Sequence, residues 1–159
     1  MNRYRLWPAG ALLVALTGAP ALSNGQPPVP IPERARGADR VVVATVATTS
    51  ARYERNQFGD ELIVTRAALS VEEALKGDAA PARLAVEGGT VDGITLRVSD
   101  LPVLSAGERA VFFLTPGPDG EYRPHLRGQG ILKLDKSNQV RGSSLTVDEI
   151  RRLVRGDAK

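Results

Sequence analysis

The sequence predicts a mainly β protein, a small β-barrel with a C-terminal α-helix. Three observations carry that expectation. Seven or so short stretches of alternating or β-branched residues recur at regular spacing, separated by Gly, Pro and Asp. One of them, Ala110-Val-Phe-Phe-Leu114, is apolar on both sides, and a strand of that kind is covered on both faces. After Thr146 the apolar period lengthens from two residues to about 3.6, the spacing of a helix.

The amino terminus precedes the barrel in kind as well as in order. Residues 1–23 read as a secretory signal peptide: Arg3 and Arg5 form a basic segment, Leu6 to Leu16 is largely apolar, and Gly18-Ala-Pro-Ala-Leu-Ser23 offers small residues for cleavage after Ala21 or Ser23. The apolar run is short of the roughly 20 residues that span a bilayer, and Pro8 and Pro20 interrupt it. The expected location is therefore secreted or periplasmic, with no membrane span after signal cleavage. Residues 24–38, with four prolines and no periodicity, are expected to be an extended Pro-rich linker. A single domain is expected over 39–156.

The whole chain carries 21 Lys and Arg against 18 Asp and Glu. Loss of Arg3 and Arg5 with the signal leaves 19 against 18, a balance that does not suggest nucleic acid as a partner. The chain has no cysteine, so no disulfide braces the fold and its core must hold it alone. About 136 residues after the signal suffice for that.

Taken in order, Val41-Val-Val-Ala-Thr-Val46 is the first strand, dense in β-branched residues. Residues 50–60 are expected to be a polar hairpin loop with Tyr53 and Phe58 near its base. From Leu62 the alternation of Ile63, Thr65, Ala67, Leu69 and Val71 gives a second strand. Glu72 to Gly77 then has helix propensity, and one helical turn closing at Gly77 is expected there. Leu84 and Val86 mark a third strand that stops at Gly88-Gly89, and Ile94, Leu96 and Val98 mark a fourth. The turn Ala106-Gly107 leads into the central strand from Arg109. Pro116-Gly-Pro-Asp-Gly120 is a strong turn before a returning strand at Glu121-Tyr-Arg123. Gly128-Gln-Gly130 bends the chain into Ile131 to Leu134, and a last short strand is expected at Gln139-Val-Arg141. In the terminal helix Val147, Ile150, Leu153 and Val154 share a face, Thr146 and Glu149 form a capping box, and Gly156 ends it.

No reactive constellation stands out. Gly88-Gly-Thr-Val-Asp-Gly93 has the outer glycines of a phosphate loop, but Ile94 replaces the lysine that phosphate needs, so a glycine-rich bulge or hairpin is expected. His125 is the only histidine, which excludes a multi-histidine zinc site. No G-x-S-x-G sequence supplies a nucleophile for it, and after Pro124 it reads as a surface residue. The carboxylates have no calcium-loop spacing. Arg151, Arg152 and Arg155 read as the solvated face of the terminal helix. The sequence therefore nominates no catalytic residue, no cofactor-binding residue and no metal ligand. The positions singled out are structural: Gly88, Gly89, Gly107, Phe112 and Phe113.

Ala38-Asp-Arg-Val-Val-Val-Ala-Thr-Val46 and Ala74-Leu-Lys-Gly77 resemble the start of netrin-like modules, the group that includes the tissue inhibitors of metalloproteinases. Gly107-Glu-Arg-Ala-Val-Phe-Phe-Leu114 is similar to their later strand. The run Lys76-Gly77, Gly88-Gly89, Gly107-Glu108 and Phe113-Leu114 is closer still to exported bacterial domains without an assigned activity. The likeness spans about residues 38–134 and implies a five-stranded barrel of the oligonucleotide/oligosaccharide-binding (OB) type. The tissue inhibitors act through an amino-terminal cysteine, which this chain lacks, so no inhibitory residue is carried over.

The expected function is that of an exported, non-catalytic module binding an extracytoplasmic protein or a surface polymer. The alternative is an accessory that modulates a secreted metallopeptidase. A hydrolase using His125 or a carboxylate pair ranks behind both.

Overall fold

The computed structural model describes residues 27–56 and 58–156. The signal peptide expected at 1–23 lies outside them. The elements are α1 (Ile31–Gly37), β1 (Arg40–Arg55), β2 (Glu61–Lys76), β3 (Ala82–Glu87), β4 (Gly89–Val91), β5 (Ile94–Leu96), β6 (Arg109–Pro116), β7 (Tyr122–Pro124), β8 (Ile131–Lys133) and α2 (Val147–Arg155).

Strand pairing closes a ring. β1 pairs with β2, β2 with β3, β3 with β7, β7 with β6, and β6 returns to β1, while β8 adds beside β6. Among the described residues only the β3–β7 contact is parallel, through Leu84 and Tyr122. This is the mainly β, small barrel-like fold with a C-terminal helix that the strand pattern predicts. The ring closes because β1 is long and bent: register shifts at Val41/Val42, Val43/Ala44 and Val46/Thr48 coil it, so that Arg40–Thr45 faces β6 while the strand keeps β2 along its length.

Alternation then makes two cores from one sheet. Val42, Ala44, Val46, Ala67, Leu69, Leu84, Phe112 and Leu114 fill the barrel. Val41, Val43, Leu75, Val111 and Phe113 point the other way and pack with Ala35 of α1, the adjoining Ala38, and Val147 and Ile150 of α2. The strand expected to be covered on both faces is β6, where Ala110 through Leu114 are all buried. The α2 capping box of Thr146 and Glu149 forms, and Gly156 closes the helix in the left-handed region. Leu153 is only half-buried, whereas Val154 joins the packing around Ile150.

Several local expectations need correction. The Pro-rich linker expected over 24–38 contains α1, so the packed body reaches back beyond the boundary expected at 39. Proline is tolerated in a first helical turn because its missing N–H would have no partner there. What holds so short a helix is tertiary: Arg34 is buried, it donates to the Val29 carbonyl at 2.8 Å and to the Gln129 carbonyl, and its guanidinium lies 5.4 Å from the Phe113 ring centre. Lys76 Nζ meanwhile donates to the carbonyls of Ala35 at 2.9 Å and Ala38 at 2.5 Å, capping the negative end of the helix.

The helical turn expected over 72–77 is strand instead, since β2 runs to Lys76, which pairs with Val41. A neighbouring strand overrides local helix propensity here. Strand pairing likewise takes over most of the loop expected at 50–60, reaching Arg55 and Glu61. The fourth expected strand is β5, which pairs only with β4 in a separate ribbon outside the barrel wall. Gln139–Arg141 makes isolated bridges, from Val140 to Leu134 and from Gln139 to Thr146, in place of a strand.

Candidate binding groove

The five structural positions do not converge. Phe112 and Phe113 are fully buried on opposite faces of β6. Gly107 lies in the turn before β6, where its N–H donates to the Val46 carbonyl at 2.8 Å. Gly88 and Gly89 carry the chain from β3 into β4. A side chain at Gly89 would collide with Thr65 Oγ1 and meet Ala51 Cβ at 3.1 Å. Thr65 Oγ1 in turn donates to the Gly88 carbonyl at 2.6 Å. Gly89 opens the β4–β5 hairpin, and both glycines line a cleft of about 360 Å³ together with Leu96, Val98, Leu101 and Leu104.

His125 is half-buried rather than on the open surface. Its ring occupies the space a side chain at Gly37 would need, 2.5 Å from that position. Burial pushes its pKa below the ordinary value; nearby Arg34 and Lys76 push the same way, and Asp39 opposes them. Arg151 is not a purely solvated residue of α2 either, because it reaches β2 and pairs with Glu73 at 2.7 Å. Among the described residues no group of three or more His, Cys, Asp or Glu side chains could hold a metal ion. No helix among them is long and apolar enough to cross a membrane.

The larger groove forms on the outer wall of the barrel. Because Ala67, Leu69, Leu84 and Val86 point inward, their neighbours Leu62, Val64 and Arg66 on β2 and Ala85 and Glu87 on β3 point outward. Register sets Glu54 opposite Leu62 and Arg66 opposite Ala85. The tip between β1 and β2 forms one wall, and the turn between β6 and β7 forms the other, with Gly117, Pro118, Glu121 and Arg123. About 470 Å³ is enclosed between them, within the range of ligand sites.

Its chemistry divides into floor, tie and rim. Leu62, Val64 and Ala85 supply an apolar floor. Arg66 ties the walls together: Nε meets Glu121 at 2.7 Å and 3.0 Å, while the terminal nitrogens bind Glu54. All three side chains are at most 27% exposed, so the planar guanidinium and its carboxylates form a fixed polar plate rather than a mobile surface pair. At the rim Phe58 is 80% exposed. The tip that carries it is ordered by Asn56, whose Oδ1 accepts from the N–H groups of Phe58 and Asp60, each at 2.9 Å.

Sequence reasoning placed Phe58 near a hairpin base but missed Arg66 and Glu121 as members of a site. Arg66 lies opposite Ser50 and reaches Glu54, which lies opposite Leu62, along the outer face of a hairpin of two 16-residue strands. Glu121 arrives from 55 residues further along the chain. The outward phase of Leu62, Val64 and Arg66 was readable as the complement of the inward alternation.

In comparisons with known proteins, no family model and no curated protein sequence matches the chain.

Proposed function

We propose that the chain is an exported, non-catalytic module that binds an extended surface polymer in the outer groove, with an uncharged polysaccharide as the favoured class. One observation carries the reading. An exposed aromatic ring, Phe58, lines the same groove as the apolar floor and the fixed Arg66–Glu54–Glu121 plate. Sugar rings present an apolar C–H face and a polar rim of hydroxyls, which suits that sequence of surfaces. The place also fits, because the OB barrel takes oligosaccharides and oligonucleotides on its second and third strands between two flanking loops.

Charge favours sugar over nucleic acid. Arg55, Arg66 and Arg123 are matched in the groove by Glu54, Glu87 and Glu121, whereas a single strand needs a cationic track with several stacking rings. Export rests on the signal-like residues 1–23 and not on the groove.

The test is binding of the domain to soluble glycan fragments from its own cell envelope, followed by calorimetry. Phe58→Ala should weaken binding about tenfold or more while leaving the melting temperature unchanged. Equal affinity of both proteins, or no binding to any fragment, would sink the proposal. Capture of a secreted peptidase from extracytoplasmic extract, lost in Phe58→Ala, would move the reading to modulation of that enzyme.

A further inference from the structure

β1 is 16 residues long, yet β6 covers its outer side only over Arg40–Thr45. Two backbone bonds extend that contact to Val46, whose N–H donates to Glu108 and whose carbonyl accepts from Gly107. Beyond the bulge at Val46/Thr48, β2 continues on one side, and no strand among the described residues pairs with the other. The hairpin end sets the direction of each backbone group. The Asn56 N–H donates toward β2, to the Asp60 carbonyl at 2.9 Å. Backbone groups alternate sides along a strand, so Glu54 and Arg52 also face β2, while Arg55, Tyr53, Ala51 and Thr49 direct N–H and C=O into the open side.

An open edge is a template for another strand, and bulges and charges are the usual guards against it. The bulge lies at the start of this edge, and Arg52 and Arg55 lie along it. The charges nevertheless form a self-complementary code. Arg52 and Glu54 stand two apart on the outer face and already touch at 2.7 Å within the strand. Suppose a second copy adds antiparallel with Tyr53 opposite Tyr53. Each Arg52 then faces a Glu54, in a non-hydrogen-bonded pair where side chains approach most closely. Sliding by one repeat in either direction puts Arg52 opposite Arg52 or Glu54 opposite Glu54. Only the Tyr53-centred register pairs opposite charges and avoids like ones.

We propose that the distal half of β1, Thr49 to Arg55, is a homodimer interface formed by edge-to-edge antiparallel pairing about Tyr53. Tyr53, 38% exposed on the other face of the sheet, meets its counterpart there. The twofold axis is perpendicular to the joined sheet, so the outer walls of both barrels face the same side. A dimer of this kind is bivalent toward any long ligand those walls bind. The dimer itself rests on the sheet edge and not on the identity of that ligand.

The absence of cysteine makes the register directly testable. Sedimentation equilibrium of the signal-free chain should show a concentration-dependent dimer that weakens in Arg52→Glu, where Glu would face Glu54. Ala51→Pro removes an N–H that points into the open side, leaving the β2 ladder intact, and should give a folded monomer by circular dichroism and sedimentation. Mild oxidation should link Tyr53→Cys into a covalent dimer and leave Thr49→Cys monomeric, because position 49 lies far from its counterpart in this register. The cysteine pair decides the matter even if the proline variant does not fold. A protein that stays monomeric at its highest soluble concentration overturns the proposal. So does a dimer that links at position 49 as readily as at 53, or at neither.

Discussion

Phe112 and Phe113 are adjacent in β6, both are fully buried, and they belong to different cores. Phe112 belongs to the barrel core with Val42, Leu69 and Leu84, while Phe113 belongs to the outer core with Val147 and Ile150 of α2. One peptide unit thus fastens the barrel to its helical cover. Truncating either ring to alanine should cost about 3–5 kcal/mol, the usual loss for a buried aromatic. With no disulfide in reserve, that approaches the stability of a typical domain. Deleting residues 146–159 should destabilise the fold and reduce the further cost of Phe113→Ala, but not that of Phe112→Ala. Denaturant unfolding of these variants checks it, and strictly additive losses for Phe113 would refute the shared packing.

Lys76 should matter through α1 rather than through its own strand. Replacing it with methionine keeps the stem and removes three donors from the helix end. The expected loss is about 1 kcal/mol, with faster tryptic cleavage after Arg36 as α1 frays. If cleavage is unchanged, the cap does not hold the helix.

The pH dependence has two separate windows. His125 has a folded pKa below its ordinary value of 6.5, chiefly through burial. The unfolded chain therefore binds its proton first, and stability falls as pH drops below about 6.5 until the folded pKa is reached. His125→Gln should flatten that part of a melting-temperature profile. Glu72 and Glu73 have pKa values lowered chiefly by hydrogen bonds from Arg109 and Arg151. Their contribution is present above the ordinary carboxylate range and fades as pH falls through their folded values, so it should survive in His125→Gln. A profile with a single window, unaffected by the substitution, would contradict this account.

Two glycines a few residues apart should respond differently. Gly89 has a φ of +137° and no room for a side chain beside Thr65 and Ala51. Gly93 also has a positive φ, of +80°, but nothing lies within 4 Å of the space a side chain would occupy. Gly93→Ala should cost about 1 kcal/mol for backbone strain alone. Gly89→Ala adds overpacking, commonly about 1–3 kcal/mol more. Equal losses in thermal unfolding would mean that β4 can lift away from Thr65 and Ala51.

The division between what sequence and tertiary structure decide follows the range of the forces involved. Alternation is a local property of an extended chain, so the two-faced burial of β6 and the inward set Ala67, Leu69, Leu84 and Val86 could be read from residue order. The same holds for the α2 capping box, whose partners are three residues apart. The β character of the fold and its terminal helix were therefore legible in the sequence alone. Contacts between distant residues were not. Arg34 stabilises α1 only because Gln129 and Phe113 are folded against it, and a seven-residue segment with Pro32 in its first turn carries little helical signal of its own. Residues 72–76 prefer a helix until β1 offers them a ladder. Arg66 becomes part of a groove only when ring closure brings Glu121 beside β2, since a salt bridge depends on separation in space and not along the chain.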